Sequence, residues 1–500
     1  MLTDDVQIDR RILLEAESLH RCGHEVIVIA EHVNGGSDFE RIGNVKVERL
    51  RSPELSANEA LVLHVSALIS FGLSRCSAVI QRGLNLLASL SSRFFSLLIR
   101  LFNLIVGRAG LLVQSLLGAL SRVSSGFFSI VLRGFGFLIR RTSWIVLRLL
   151  SVLSLLTSKV FSFFINLNQM ATSLALRINR RLRGLPLRER RMLDRIAFYD
   201  ADVVHAHDLP QLRVGAKAKR RLGVPLIYDA HELYPEIGTL SAAQKKMLSR
   251  RERRYVRGAD AVITVNQYLA EEMRQRYGIP LPEVILNATD WPAGLTADVR
   301  WDRFRERFGI PQHHQVVLFQ GWMSRQRGLQ PLVRAMSFLP PTLHLVFMGY
   351  GEGRDELVSI ASEENLTDRV HFMDAVPQSE LLAWTSSADL GVIPYQPVDL
   401  NNYYCSPNKL FEFIQAELPI VANDLPFLRD VVVGEGFGVV HKLEDPKDYA
   451  EAILKLCDKE SLERCKLRLK ERKSAYSWTA EEGKLLHIYD ALATGRERGA

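Results

Sequence analysis

The sequence lacks acidic residues along one long segment. From Ala60 to Arg188 there is no Asp or Glu, although the same segment carries sixteen Lys or Arg residues. Proline is also absent between Pro53 and Pro186. Outside this segment the chain has 48 basic and 56 acidic residues, so the net charge of +8 for the whole chain becomes −8 without it. A segment that is both apolar and purely cationic points to an anionic, apolar partner, and a membrane surface fits best.

Cysteine and secretion signals are also scarce. The chain has five cysteines, an odd and scattered set, which indicates reduced thiols rather than a disulfide framework. The first twenty residues contain no apolar signal-peptide core. We therefore expect a cytoplasmic protein that binds the membrane peripherally, from the cytoplasmic face. Nothing in the composition indicates a nucleic-acid partner.

Long uncharged runs are missing as well. The longest in the basic segment is 160–176, seventeen residues, whereas a bilayer span needs about 20 mostly apolar residues. The basic residues recur at close to whole helical turns, within an arc of roughly 100° on an eleven-residue period. Residues 59–185, called the insertion below, are predicted to be all-helical and amphipathic, with residues 60–185 in the plane of an anionic membrane. Re-entrant or spanning pieces, and a helical bundle packed on itself or a second copy, remain alternatives.

The rest of the chain alternates short apolar runs with helical patterns, which indicates parallel sheets covered on both faces. Before and after the insertion the pattern predicts helices over 8–21 and 190–198, and strands over 24–30, Val45–Leu50, 201–207, 222–228 and 259–265. A second unit begins near Gln315 and contains six more strands. The predicted fold class is α/β with two doubly wound, Rossmann-like domains, and ligands are expected at the carboxyl ends of the strands, where the insertion should also leave the first domain.

We expect four segments. They are a discontinuous N-terminal domain over 1–58 and 186–291, the insertion over 59–185, a C-terminal domain over 292–476, and a closing helix and tail over 477–500. The first domain apparently misses its opening strand, so either its central strand is absent or the true start lies upstream of Met1.

Two glycine-bearing strand exits stand in the second unit. Residues 319–328 read as a strand, a loop with a glycine, and two arginines before a helix, which could bring Arg325 and Arg327 onto a diphosphate. A solvated basic turn is the alternative. Residues 346–353 form a second glycine-rich exit, which is a weak signal on its own.

The segment 406–412 predicts a helix start. Ser406 would be the N-cap and Pro407 the first helical residue. The free N–H groups and the positive dipole end of such a helix favour a phosphate, and Lys409 adds charge.

In their order along the chain, these segments resemble the retaining family-four glycosyltransferases of the GT-B fold, over nearly the whole chain outside the insertion. The resemblance implies that the C-terminal domain binds a nucleotide-diphosphate sugar, and that the helix after Trp478 crosses back to the N-terminal, acceptor-side domain. It implies donor-binding roles for Gly321, Arg325, Gly349, Met373, Ser406, Asn408 and Glu412, and catalytic roles for Arg327, Lys409 and His207. Tyr404 stands where the family has the first Glu of its Glu-x7-Glu motif, and Trp322 replaces an Arg.

In the first domain, His207 matches the family's histidine at a strand end facing the donor sugar. His205 precedes it, and Asp229, His231 and Glu232 follow the next strand, so these four are candidates for the acceptor side of the cleft. A structural histidine, and helix capping by Asp229, are the alternatives.

The predicted activity is transfer of a sugar from a nucleotide-diphosphate donor to an acceptor hydroxyl, with a lipid-linked or membrane-associated acceptor expected, in glycan or glycolipid biosynthesis. The family implies retention of configuration and no metal. We see no metal-binding cluster in the sequence and expect no cofactor beyond the donor substrate. A sugar-nucleotide 2-epimerase, a catalytically impaired scaffold and a membrane-shaping protein remain alternatives.

Overall fold

The folded chain is built around two α/β lobes. The computed structural model describes residues 1–3, 8–32, 37–51, 187–292 and 301–497, which fall in one compact unit. The predictions for the insertion lie outside the described residues.

The first lobe comes from both sides of the insertion. Its helices and strands are α1 (Arg10–Arg21), β1 (Ile27–Glu31), β2 (Phe39–Ile42), β3 (Val45–Leu50), α2 (Leu187–Phe198), β4 (Val204–His207), α3 (Asp208–Leu222), β5 (Leu226–Ala230), α4 (Ala242–Val256), β6 (Ala261–Thr264), α5 (Gln267–Tyr277) and β7 (Glu283–Val284). Strands β4-β5-β6-β7 pair in parallel, and β1 pairs in parallel with β3. Strand β2 runs antiparallel to β3, which corrects the expectation of a purely parallel sheet.

Three residues hold the centre of the first sheet. Leu2 bridges Ile29 of β1 on one side and Ala206 of β4 on the other, both in parallel. The Leu2 N–H donates to the His205 carbonyl at 2.8 Å, and the Ile29 N–H donates to the Met1 carbonyl at 2.9 Å. Met1–Thr3 therefore lie in the central position of the sheet, through isolated bridges of Leu2 to β1 and β4. This segment joins β1 and β4, whose carboxyl ends lie at one edge.

Helix α1 covers one face of this sheet because its apolar residues are spaced to fall on one side of the helix. Asp9 caps it by accepting the Arg11 N–H at 2.8 Å. Ile12, Ala16 and Leu19 then recur on one side of the helix and are fully buried.

The second lobe is a six-stranded sheet in which every pairing is parallel. It contains α6 (Arg303–Phe308), β8 (Gln315–Gln320), α7 (Leu329–Ala335), β9 (Leu343–Met348), α8 (Arg354–Glu363), β10 (Val370–Met373), α9 (Gln378–Thr385), β11 (Leu390–Ile393), α10 (Leu400–Tyr403), α11 (Asn408–Gln415), β12 (Ile420–Asn423), α12 (Pro426–Val432), β13 (Gly438–His441), α13 (Pro446–Cys457) and α14 (Lys459–Arg472). The strand order is β10-β9-β8-β11-β12-β13. Apolar clusters pack on both faces, as near-continuous apolar strands require. The predicted fold class is thus confirmed in the described residues.

The last helix, α15 (Trp478–Glu497), packs on the first lobe. Trp478, 2% exposed, packs with Leu19 and Ile227 in one apolar cluster, and its indole N–H donates to the Ser18 hydroxyl at 2.8 Å. The helix after Trp478 therefore returns to the first lobe, where the resemblance places it.

Candidate active site

The carboxyl ends of β8, β9 and β10 meet at one edge of the second sheet. The Gly321 N–H donates to the Met348 carbonyl at 2.9 Å, and the Gly349 N–H donates to the Met373 carbonyl at 3.0 Å. A Cβ on Gly349 would lie 2.1 Å from the Gly321 carbonyl oxygen, and the φ of Gly349 is +148°. Only glycine fits there. Gly321, Gly349 and Met373, predicted on the donor side, are thus neighbours.

Two cations share one aromatic ring beside this edge. The Arg327 guanidinium carbon lies 3.8 Å from the centre of the Tyr395 ring, and Lys409 Nζ lies 5.4 Å from the same ring and 3.8 Å from that of Phe319. Lys409 is 5% exposed, and its ammonium has no hydrogen-bond partner in the described chain. Burial, followed by the charge of Arg327, lowers the pKa of Lys409 well below its usual range. Burial lowers the pKa of Arg327 to about 10. Two desolvated cations held in place without an anion form a site for one.

Arg325 does not join this pair. Its side chain is 72% exposed and forms an ion pair with Glu356 at 3.0 Å. The predicted pair of arginines therefore separates: Arg327 is half-buried beside Tyr395, whereas Arg325 is at the surface.

Helix α11 begins one residue later than the sequence predicts. Pro407 is the N-cap and Asn408, which is exposed, is the first helical residue. The buried Ser406 hydroxyl has no hydrogen-bond partner among the described residues, whereas its carbonyl accepts from the Asn287 side chain at 2.9 Å. The prediction of Ser406 as N-cap is wrong, because the fixed φ of Pro407 suits the position before the helix as well as its first turn.

Glu412 is held by both lobes. Its Oε1 accepts from Arg10 Nη1 of the first lobe at 2.7 Å, and its Oε2 accepts from the Gln320 amide at the end of β8. Gln320 in turn accepts from the Thr385 hydroxyl at 2.8 Å. No local pattern in the sequence indicates Arg10 or Gln320 as partners of Glu412, because both are distant from it in the chain.

Tyr404 also contacts the first lobe. Its ring stacks on that of Tyr268, with centres 5.7 Å apart and planes at 10°. Its carbonyl accepts from the Asn266 side chain at 2.8 Å. The position that carries the first motif Glu in the family therefore holds an aromatic contact between lobes.

The predicted histidines lie together at the carboxyl end of β4 and after β5. The His205 and His207 rings stack with centres 4.3 Å apart, and His207 Nδ1 lies 3.2 Å from His231 Nε2. His205 and His207 are each 1% exposed, whereas the His231 side chain is 15% exposed. His207 therefore lies beneath His231, and of these three His231 is the one with substantial solvent exposure. The predicted role of His207 in transfer stays a prediction.

A buried ion-pair network supports these rings. Arg11 Nη2 donates to both carboxylate oxygens of Asp229, at 3.1 and 2.9 Å, and Arg11 Nε donates to Glu15 Oε1 at 2.8 Å. Burial raises the pKa of Asp229, but the charges of Arg11 and His231, together with hydrogen bonding from His205 and His231, outweigh burial and hold this pKa well below its usual range. Arg11 and Glu15 were not predicted as site residues from the sequence. A signal did exist, because Arg11, Glu15 and Ser18 form a stripe along α1 beside its apolar side.

Two further carboxylates lie at the loop after β5: Asp208, the first residue of α3, and Glu232 of the loop itself. The His231 backbone N–H donates to Asp208 Oδ1 at 3.0 Å. Burial lowers the pKa of His231, but Asp208 and Asp229 outweigh it and raise this pKa to about 10. Glu232 accepts from the Asn401 amide of the second lobe at 3.0 Å. The loop thus places the His231 cation beside Asp208 of α3, and Glu232 beside Asn401 of the second lobe.

Two family models match the chain one after the other. The model described as Glycosyltransferase Family 4 matches residues 168–290, and the model described as Glycosyl transferases group 1 matches residues 314–459. The chain is a glycosyltransferase.

Curated relatives of this glycosyltransferase agree. It is 28% identical to a D-inositol 3-phosphate glycosyltransferase of Xylanimonas cellulosilytica over 320 residues, 59% of this chain and 73% of the relative. It is also 28% identical to a protein of the same name from Thermomonospora curvata over 323 residues, 58% of this chain and 71% of the relative.

Solved structures show that the glycosyltransferase has the GT-B fold. Sucrose-phosphate synthase from Thermosynechococcus elongatus superposes with a TM-score of 0.59 at 16% identity, covering 99% of this chain and 98% of the synthase. HepE from Anabaena, in complex with UDP-glucose, superposes with a TM-score of 0.51 at 18% identity, covering 61% of this chain and 82% of HepE. Among the described helices, none is both long and apolar enough to cross a membrane.

Proposed function

We propose that this glycosyltransferase transfers a sugar from a nucleotide-diphosphate donor to an acceptor hydroxyl. The observation that carries the proposal is the pair Arg327 and Lys409, two cations set beside Tyr395 with no hydrogen bond from either side-chain charge in the described chain. HepE, which shares the fold, has been solved with UDP-glucose.

The chemistry follows from charge. Glycosyl transfer leaves a nucleoside diphosphate, and its departing oxygens gain negative charge in the transition state. Arg327 and Lys409 would stabilise this charge at little reorganisation cost, because the protein already holds them in place. No metal is required for this step. Glu412 would accept hydrogen bonds from the ribose hydroxyls, and Met373 would lie near the base. The configuration at the transferred sugar would be retained.

On the acceptor side we assign the contact to His231, with His207 as a positioning residue beneath it. His231 is the more exposed ring, and His207 contacts it through Nδ1. Asp229 and Glu232 hold the same loop.

The donor site can be tested with a matched pair of arginines. Arg327→Ala removes a charge-assisted contact worth about 1.5–3 kcal/mol, so UDP should bind roughly 10- to 100-fold more weakly in calorimetry. Arg325→Ala is the control, since Arg325 is exposed and paired with Glu356, and it should bind UDP like the parent protein. Equal affinity for the two variants would remove Arg327 from the site.

We further propose that the acceptor lies at a membrane, on the cytoplasmic face. The support is the composition of residues 60–185, which is apolar and cationic without a single acid. A chain lacking residues 60–185 should bind UDP normally, fail to float with anionic vesicles, and lose transfer to a lipid extract. Arg→Gln changes in the insertion should weaken flotation in a salt-dependent way. Full transfer by the shortened chain would disprove membrane delivery.

The same transfer assay distinguishes this function from the alternative ones. Release of UDP from a UDP-sugar that depends on added lipid extract is expected of a transferase. A 2-epimerase would convert the donor without acceptor, and a scaffold would do neither.

A further inference from the structure

Three buried polar atoms of the first lobe point at one another without a hydrogen bond. They are Glu15 Oε2, His205 Nε2 and His207 Nε2, and none has a partner in the part of the chain that the structure describes. Oε2 of Glu15 lies 3.8 Å from His205 Nε2 and 3.9 Å from His207 Nε2. The three residues are 0%, 1% and 1% exposed. Because buried polar atoms in native proteins nearly always have a partner, this convergence requires an occupant.

The two rings are fixed by their other nitrogens. His205 Nδ1 lies 3.1 Å from the Tyr489 hydroxyl of α15, and His207 Nδ1 lies 3.2 Å from His231 Nε2. Each ring is thus hydrogen-bonded on one side and open on the side that faces Glu15. In metal-binding histidines the second ring nitrogen donates to an outer partner, and the Tyr489 hydroxyl can accept from His205 in this way.

We propose that Glu15, His205 and His207 bind a divalent transition-metal ion, with Zn²⁺ as the best chemical fit. Two imidazoles and one carboxylate form a common zinc ligand set. Asp229 is the candidate fourth ligand, since its Oδ2 lies 3.8 Å from His205 Nε2, and the four donor atoms all lie within 4.8 Å of one another. Tetrahedral ligands at zinc bond lengths are about 3.3 Å apart, so the pairs at 3.8–3.9 Å would have to close in by roughly half an ångström and the widest pair by up to about 1.5 Å.

The local charge is compatible with a cation. Arg11 binds Glu15 through Oε1 and leaves Oε2 free. Glu15 and Asp229 bring two carboxylates to the site, and the cations that face them are Arg11 and His231. Asp208 is a further carboxylate beside His231.

The metal would join three elements. Glu15 belongs to α1, His205 and His207 belong to β4, and Asp229 belongs to β5. Binding through Nε2 would fix the His207 ring, whose Nδ1 lies 3.2 Å from His231 Nε2. The ion is therefore a positioning element for the acceptor loop and takes no part in binding the diphosphate.

The test uses the full-length, untagged protein after chelator treatment and dialysis. Titration with Co²⁺ should give the intense visible bands of a tetrahedral site at one ion per chain, and Zn²⁺ should displace Co²⁺ with the same stoichiometry. X-ray absorption of the zinc form should show two imidazole nitrogens and oxygen ligands at about 2.0–2.1 Å.

Variants assign the site. Glu15→Gln and His205→Gln should each weaken metal binding by at least about 10-fold, because each removes a direct ligand rather than an outer partner. His371→Gln is the control, since His371 belongs to a separate histidine row in which His344 lies 3.0 Å from His371 and 2.9 Å from His314. The control should bind metal like the parent.

Several outcomes would overturn the proposal. Absence of Co²⁺ or Zn²⁺ binding at one ion per chain in the parent would make the occupant a buried water. Loss of binding in His371→Gln together with retained binding in Glu15→Gln would also contradict the assignment. If the variants fold poorly by circular dichroism, the absorption spectrum of the parent decides alone, because a zinc shell without two imidazoles contradicts the assignment.

Discussion

Lys409 is an ammonium group placed where water does not reach it. It lies over the Phe319 ring at 3.8 Å and has no hydrogen-bond partner among the described residues. Burying such a group costs free energy unless an ion partner arrives. The cost is tolerated at binding sites, where the ligand supplies the missing charge.

The pH dependence of this lysine has a definite sign. Its pKa in the folded protein is well below the ordinary 10.5, so between these two values the unfolded chain binds more protons and stability rises with pH. Below the folded pKa the burial cost is fully present. A diphosphate restores the ammonium form, so UDP binding within this window should take up a proton.

Calorimetry in buffers of different ionisation enthalpy measures that uptake. Lys409→Met should abolish it and weaken UDP binding, while Lys442→Met, at a 74% exposed position, should leave both unchanged. Proton uptake that persists in Lys409→Met would assign it to another group.

The strands of the second lobe were predicted well because they are short, largely apolar runs, and four of them, β8, β9, β11 and β12, are almost wholly buried. All six appear. Strand β2 was missed because its residues 39–42 are almost wholly exposed and include two charges. Met1–Thr3 are too few residues to show a hydrophobic periodicity, so the sequence pattern could not predict that Leu2 pairs with β1 and β4.

The site was predicted less completely, and the reason is again physical. Arg327 and Lys409 follow a strand exit and start a helix, which are local patterns. The partners of Glu412 and Asp229 are Arg10 and Arg11, which lie 402 and 218 positions away in the chain. Such contacts depend on how lobes and helices pack, and no local pattern indicates them.

Helix α15 gives a prediction at the scale of elements. Trp478 is 2% exposed and bonded to Ser18, so Trp478→Ala should destabilise the protein by about 3–5 kcal/mol. Ser18→Ala removes this hydrogen bond and the Ser18 contacts to Arg21 and Glu482, leaves the indole in place, and should cost less, about 1–3 kcal/mol. Urea denaturation compares the two. Equal losses would mean that the indole contributes little through packing.

At the scale of the whole molecule, one ion pair connects the lobes at the predicted ribose site. Arg10 and Glu412 are 15% and 10% exposed, and their contact is 2.7 Å. A ribose that hydrogen-bonds to Glu412 has to displace Arg10. Arg10→Met should therefore bind UDP several-fold more tightly, an expectation of about 1 kcal/mol for a partly screened pair.

Calorimetry with UDP tests this competition. Arg21→Met is the matched control, since Arg21 lies on the same helix and pairs with Glu482 instead. Weaker UDP binding by Arg10→Met would mean that Arg10 contacts the donor itself.

The return of α15 to the first lobe also orders events during translation. A ribosome adds about 5–20 residues per second, so the sheet of the first lobe leaves the exit tunnel long before Trp478, Leu485 and Ile488, which cover Ile227, Ile263 and Ile285. The six strands of the second lobe emerge in between, as one uninterrupted stretch. The second lobe can thus fold on the ribosome, whereas the first lobe keeps Ile227, Ile263 and Ile285 uncovered until α15 has been made.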